Sequence, residues 1–283
     1  MGTALITGAT AGIGLELAWQ LAQAHHDLVL VARDRARLET VAEELRQFAG
    51  VGVQILPADL SEPGDLARVA ERARVSQPDA DPPIAVAPAA SPAGSAAAAG
   101  SAAAGPVTAV APATATGPVD PVDRLHTTAE VEARPIDLLV NNAGFAVGQD
   151  FVSGSIEQER RALAVMVGAV MELTHAAVPG MVARGHGAVL NVASVTALTA
   201  MGTYAAHKAW VRTFTEGLAS ELRGTGVTAT VLNPGLTHTE FHARAAMDES
   251  AWPAFAWLQA DDVARQALDA VHRGQVIYTP SPH

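Results

Sequence analysis

The stretch that most constrains this chain is Gly2–Thr7 followed by Gly8-Ala9-Thr10-Ala11-Gly12-Ile13-Gly14. A short apolar run enters a glycine-rich turn. Ile13, Leu17 and Leu21 then recur at helical spacing, with Ala18 beside them. The pattern reads as strand, turn, helix. A helix N-terminus presents free amides and a positive dipole end to an anion, and glycines let the backbone approach a pyrophosphate closely. The spacing G-x-x-x-G-x-G differs from G-x-G-x-x-G, and no Gly-Lys-Ser/Thr follows, so the turn is not a P-loop. A tight turn without a ligand would satisfy the same letters.

Further on, strands and helices alternate. Asp27–Ala32 reads as a buried parallel strand, followed by Arg33, Arg35 and Arg37 and a helix over 36–48. A strand over 51–56 leads to Asp59-Leu60 and a short helix over 64–74. Another strand over 136–140 ends in Asn141-Asn142-Ala143-Gly144. Ser155 and Gln158 have capping-box spacing at the start of a helix reaching about residue 182, with a bend expected near Pro179. Residues 187–192 form the strand that delivers Ser194, and the helix carrying Tyr204 runs to about 222. A strand over 228–232 ends in Asn233-Pro234-Gly235; a helix over 262–272 and a strand over 275–279 close the pattern. This alternation predicts an α/β fold, a doubly wound, Rossmann-like parallel sheet. Ligands bind such sheets beyond the carboxyl ends of the strands, where every loop of interest here falls. The end of the second strand meets an adenosine ribose in such folds: an acid there suits a 2′-hydroxyl, an arginine a 2′-phosphate. Ala32 and Arg33 favour the phosphate.

One stretch breaks the pattern. Residues 76–132 are rich in Ala, Pro, Gly, Ser and Thr and poor in large apolar side chains. Such a composition buries too little surface to offset its ordering entropy. It is expected to be a flexible insertion within a single domain spanning 1–283. The 283 residues are 49% hydrophobic, enough for a substantial core, and contain no cysteine, which excludes disulfides, zinc–thiolate sites and thiol nucleophiles. No metal site is expected. The net charge of −11 argues against nucleic acid as a partner. The sequence shows no signal peptide and no apolar run of membrane-spanning length, so a cytoplasmic protein without a membrane partner is expected.

The chemistry is expected in Ser194–Lys208, S-V-T-A-L-T-A-M-G-T-Y-A-A-H-K. Tyr204 and Lys208 are four apart and share a helix face. An adjacent ammonium lowers a phenol's pKa, so Tyr204 could exchange a proton with an alcohol or ketone oxygen that Ser194 also holds.

With T-G-A-T-A-G-I-G at 7–14, A-D-L at 58–60, N-N-A-G at 141–144, Ser194 with Y-x-x-x-K at 204–208 and N-P-G at 233–235, the chain resembles the short-chain dehydrogenase/reductase family over nearly its whole length apart from the insertion. The resemblance implies an oxidoreductase that transfers a hydride between NADP(H), rather than NAD(H), and a carbonyl or secondary alcohol. Catalytic Ser194, Tyr204 and Lys208 are implied. So is a cofactor site of Gly8, Thr10, Gly12, Ile13, Gly14, Arg33, Asp59, Leu60, Asn141, Ala143, Gly144, Tyr204, Lys208, Pro234, Gly235 and Thr239. A homodimer or homotetramer is implied as well. Where the family commonly has a catalytic asparagine, this chain has Met166. The Ser194–Tyr204 loop is also short for the family. Met166 predicts a slow reductase limited by proton resupply to Tyr204. Phe241, Trp252, Phe255 and Trp257 suggest an apolar substrate wall, or packing of a lid. The competing readings are a catalytically weak NADP-binding sensor or scaffold, and a flavin or nucleotide module that leaves Y-x-x-x-K unexplained.

Overall fold

A computed structural model describes residues 2–75, 127–240, 253 and 256–281. Its framework is a sheet of short, almost wholly buried strands: β1 (Thr3–Thr7), β2 (Asp27–Ala32), β3 (Val53–Pro57), β4 (Leu138–Asn141), β5 (Gly187–Val192) and β6 (Val227–Leu232). A small second sheet pairs β7 (Thr237–His238) with β8 (Leu258–Gln259), and β9 (Ile277–Tyr278) completes the main one. The main sheet is parallel throughout, in the order β3-β2-β1-β4-β5-β6-β9. This is the expected doubly wound sheet. Its strands are near-continuous Val/Ile/Leu runs because helices cover both faces.

Side-chain alternation sends Leu28 and Leu30 to one face and Val29 and Val31 to the other, so each strand feeds two cores. On the first face lie α1 (Gly12–Gln23) and α2 (Arg35–Ala49). The opposite face takes α3 (Pro63–Ala73). A one-and-a-half-turn helix, α4 (Thr128–Ala133), and α5 (Ile156–Leu163) precede the long α6 (Ala169–Arg184) and α7 (Gly202–Glu221), and α8 (Ala260–His272) returns to the first face. The helical stretch 156–184 is long and apolar enough to cross a membrane by length and composition. Half of its apolar window is buried in the fold, as in a core helix.

Two features depart from the expectation. The π-helical turn Ala164–Gly168 joins α5 to α6; the irregularity in this helix was expected near Pro179, which instead lies inside α6. The second departure concerns the insertion. Residues 76–126 lie outside the described residues, but 128–133, expected to be flexible, form α4. Thr127 and Glu130 make a complete capping box there: the Glu130 amide donates to Thr127 Oγ1 at 3.3 Å, and the Thr127 amide donates to Glu130 Oε2 at 2.6 Å. Val131 is fully buried. The buried Arg72 of α3 donates to the Val131 carbonyl and to Gln54 of β3, each at 2.7 Å.

Arg72 therefore ties the two flanks of the insertion directly to each other. Replacing residues 78–120 with a short Gly-Ser bridge is expected to leave a single cooperative thermal transition, because loop length adds only slowly to closure entropy. Loss of that transition would make the segment structural. Arg72→Ala, which strands the Val131 carbonyl, should cost about 1–3 kcal/mol, read as a lowered urea midpoint.

Candidate active site

The strand order changes direction between β1 and β4, and a crevice opens there above the carboxyl ends. Thr7 and Asn142 hold its floor. The Thr7 hydroxyl donates to the Val140 carbonyl at 3.3 Å and accepts the amides of Asn142 and Ala143 at 3.0 and 3.1 Å. The Asn142 side-chain amide donates to the carbonyls of Thr7 and Gly8 at 3.0 and 3.2 Å. The glycine turn fits into this bracket. Gly8 and Gly12 have φ of 69° and 53°, in the left-handed region. A Cβ on Gly14 would strike the Gly8 carbonyl and the Asn142 amide, and one on Gly12 would lie 2.9 Å from the Thr239 methyl. The turn at the start of α1 is thus packed too closely against Asn142 and Thr239 to admit a side chain at either glycine.

Asn141, expected at the cofactor, faces inward. Its amide donates to Asn191 Oδ1 at 2.9 Å and Thr174 Oγ1 at 3.2 Å, and Asn191 donates to Thr215 at 2.9 Å. This buried chain ties β4 and β5 to α6 and α7.

The Ser194 and Tyr204 hydroxyls are hydrogen-bonded to each other, although their connecting loop is short. A 3₁₀ turn, Val195–Leu198, takes up the slack, capped by Ser194 Oγ accepting the Thr196 amide at 3.2 Å. The Val195 amide bonds to the Pro234 carbonyl at 3.0 Å, which pins the loop to the end of β6. Lys208, one turn after Tyr204, is buried. Its ammonium lies 5.8 Å from the Tyr204 ring centre and donates to the Val192 carbonyl at 2.8 Å. A Cβ on Gly144 would stand 3.4 Å from both Lys208 Nζ and Met166 Cγ, so Gly144 is flanked by both side chains.

The electrostatics differ from the expectation. Burial pushes the Tyr204 phenol up to about 12, against the Ser194 hydrogen bond that pulls it down. Burial also pushes Lys208 down to about 8. Proximity of Lys208 does not lower the phenol here, because desolvation outweighs a charge that is itself desolvated.

At the other end of the crevice Leu60 is buried and Asp59 is engaged. Burial raises the Asp59 carboxyl, but Ser61 and then Arg161 of α5 hold it below its usual value. Arg161 Nη2 donates to it at 2.5 Å. Arg33 stands exposed just past β2. Arg37 reaches back to the Thr10 carbonyl at 3.2 Å and pairs with Glu240 at 2.8 Å, so the arm after β7 is fastened over the glycine turn. Phe241, Trp252 and Phe255 lie outside the described residues. Trp257 stacks on His238 at the base of that arm, with centroids 4.7 Å apart.

The model of the short chain dehydrogenase family matches residues 2–81 and 83–250. The chain belongs to that family. A short-chain dehydrogenase from Sphingobium yanoikuyae, solved in complex with NADPH, superposes with a TM-score of 0.75 at 30% identity, covering all of this chain and 89% of that one. A bulky-bulky ketone specific alcohol dehydrogenase from Comamonas testosteroni gives 0.72 at 25% identity, covering 100% and 87%. By sequence the chain is 28% identical over 246 residues to a short chain dehydrogenase of Pseudocercospora fijiensis (85% of this chain, 61% of that protein). It is 35% identical over 125 residues to an NADP-dependent 3-hydroxy acid dehydrogenase of Escherichia coli (42% and 50%). The chain thus spans 61% and 50% of the length of those two relatives.

As a short-chain dehydrogenase the protein is an oxidoreductase of small molecules that needs a nicotinamide cofactor. The close-packed glycine turn, the helix terminus behind it and the spare donors of buried Lys208 fit such a group. The side chains that sequence reasoning missed are Thr7, Asn142, Arg37, Glu240 and Arg161. Of these only Thr7 and Asn142 sit inside recognisable motifs. Arg37 and Glu240 are 203 residues apart, beyond any local signal.

Lys208 is a desolvated charge with one carbonyl acceptor among the described residues. Its folded pKa lies below the unfolded value. Stability of the cofactor-free protein should therefore rise as pH climbs from about 8 toward the lysine's ordinary range, where the unfolded chain binds the extra proton. Lys208→Met should raise the cofactor-free Tm at pH 7 by about 2–4 °C, a gain near 1 kcal/mol, while abolishing turnover. Calorimetry across pH checks both; a lower Tm in Lys208→Met would show that the charge is stabilising.

Proposed function

We propose that the protein is an NADPH-dependent reductase of carbonyl compounds, with Tyr204 as the proton donor. The observation that carries this reading is the Ser194–Tyr204–Lys208 group at the crevice rim, with hydroxyls bonded and ammonium buried. The nicotinamide supplies a hydride when bound. The chain's own residues hold the carbonyl oxygen between the Ser194 and Tyr204 hydroxyls and deliver a proton to it. A phenol pushed up to about 12 stays protonated near neutrality, which suits the donor in reduction better than the base in oxidation. Lys208, pushed down to about 8, sits near the operating pH, where proton exchange is most efficient.

NADP over NAD is supported by Arg33, exposed at the end of β2 with Ala32 before it, where an acid would favour the free ribose. It is further supported by the NADPH and NADP named for the Sphingobium and Escherichia coli proteins. An apolar substrate is supported by Val195, Leu198 and Met201, which stand exposed on the loop between Ser194 and Tyr204. The Comamonas relative's preference for bulky ketones agrees with that rim.

Screening NADPH oxidation against ketones and aldehydes tests the reading. Tyr204→Phe should lose about 10²-fold or more in kcat on every accepted substrate; full activity would return the protein to the class of cofactor-binding sensors. A charged arginine–phosphate hydrogen bond contributes roughly 1.5–3 kcal/mol, about tenfold or more in affinity. Arg33→Ala should therefore weaken NADPH binding by that factor and leave NADH binding unchanged. Equal affinities in the unaltered protein would remove the NADP assignment alone.

A further inference from the structure

Three arginines follow β2, and each has a different surrounding. Arg33 is exposed at the strand end, and Arg35 pairs with Glu39 along α2 at 3.6 Å. Arg37, in the first turn of α2, reaches the glycine turn instead. Its Nη2 donates to the Thr10 carbonyl at 3.2 Å and to Glu240 Oε1 at 2.8 Å, and its Nη1 donates to Glu240 Oε2 at 3.2 Å. The Asp34 side chain accepts the Arg37 amide at 3.1 Å and fixes the backbone from which the guanidinium extends.

The anion on Arg37 comes from far away in the chain. Glu240 lies on the short arm that leaves β7, 203 residues from Arg37. Pairing of β7 with β8 and the stack of His238 on Trp257 hold the root of that arm. Thr239 then lies against the glycine turn, its methyl 2.9 Å from the place of a Cβ on Gly12. Glu240 thus reaches Arg37 on a fixed approach, as a tethered carboxylate. Two oxygens on two guanidinium nitrogens is the fork by which an arginine also takes a phosphate. The same two nitrogens do not serve both anions at once. The end of the second strand is where a 2′-phosphate meets an arginine in such sheets, so the carboxylate stands where that charge would be read.

Resting on the NADP reading above, we propose that Glu240 is an internal competitor of the cofactor's 2′-phosphate. In the cofactor-free protein its carboxylate occupies Arg37; a 2′-phosphate displaces it, and a free ribose hydroxyl does not. Arg33, exposed beside it, stays available to the same phosphate. A dianionic phosphate is the stronger partner for the fork, whereas a neutral hydroxyl leaves the pair closed. The exchange also unfastens the arm from α2, which a cofactor without the phosphate does not do. Glu240 is therefore a selectivity residue that acts through Arg37. The side chains of Arg37 and Glu240 are 41% and 47% exposed, so the closed pair is favoured over the open one only about one- to fivefold. Competition of that strength weakens phosphate binding about two- to sixfold.

The test titrates the full chain by calorimetry with adenosine 2′,5′-bisphosphate, which carries the 2′-phosphate, and with 5′-AMP, which lacks it, then with NADPH and NADH. Glu240→Gln should bind the bisphosphate and NADPH about two- to sixfold more tightly, and 5′-AMP and NADH as before. In an Arg37→Ala background the same replacement should change nothing, because the carboxylate has no fork to occupy; a general relief of negative charge would persist there. Should Arg37→Ala fail to fold, Arg37→Gln takes its place. Unchanged bisphosphate affinity in Glu240→Gln, an equal gain for 5′-AMP, or a gain that survives loss of Arg37 overturns the competition. So does weaker NADPH binding in Glu240→Gln, the result for a strap that closes over the bound cofactor. The parent reading fails separately. Equal affinities for the two nucleotides in every variant, Glu240→Gln included, remove the NADP preference and the competitor together. A 2′-phosphate preference that Glu240→Gln leaves untouched overturns the competitor alone.

Discussion

The Thr7–Asn142 bracket is the constraint on which the rest depends. In a doubly wound sheet the two strands that diverge at the change of direction have nothing above them, and their loops must be held apart and in register. Here one hydroxyl and one amide make five hydrogen bonds between the ends of β1 and β4. They fix the glycine turn from beneath and place Gly144 against Lys208. A second polar chain, Asn141–Asn191–Thr215, extends the same logic one strand along and carries the position of β5 to α7. The carboxyl ends of the central strands thereby set the distance between the glycine turn and the Ser194 and Tyr204 hydroxyls.

Against that rigid floor, the reaction centre is held in electrostatic imbalance. Lys208 has lost its water and keeps one carbonyl; Tyr204 is pushed toward its neutral form. Neither state is what a stability-optimised core would choose, and such perturbed pairs cluster where proton transfer is needed. The cost is spread through the apolar packing of the two sheet faces, which is why a small number of unsatisfied groups can be tolerated in one place.

Much of this was legible in the sequence. All seven strands of the main sheet follow from short apolar runs and the long helices from the 3.6-residue pattern, and the site loops follow from their place at strand ends. What was not legible has physical reasons. A π-turn adds one residue without changing composition, so the periodicity around Met166 hides it. Asn141 and Asn142 are adjacent, and pleating sends one into the core and one to the crevice; the letters alone do not say which. Helix α4 was obscured by the Ala/Pro/Gly stretch before it, although Thr127-x-x-Glu130 was a readable start signal. The upward shift of Tyr204 was missed because sequence shows a neighbouring lysine but not the burial of both groups.

The helical stretch 156–184 connects the two ends of the crevice. Its Arg161 holds Asp59, Glu159 acts on His207, and Met166 lies against Gly144. These three contacts fall within eight residues and straddle the start of the π-turn, where the helix is least constrained by its own hydrogen bonds. The residue that holds Asp59 and the residue that packs on Gly144 beside Lys208 therefore share one structural element.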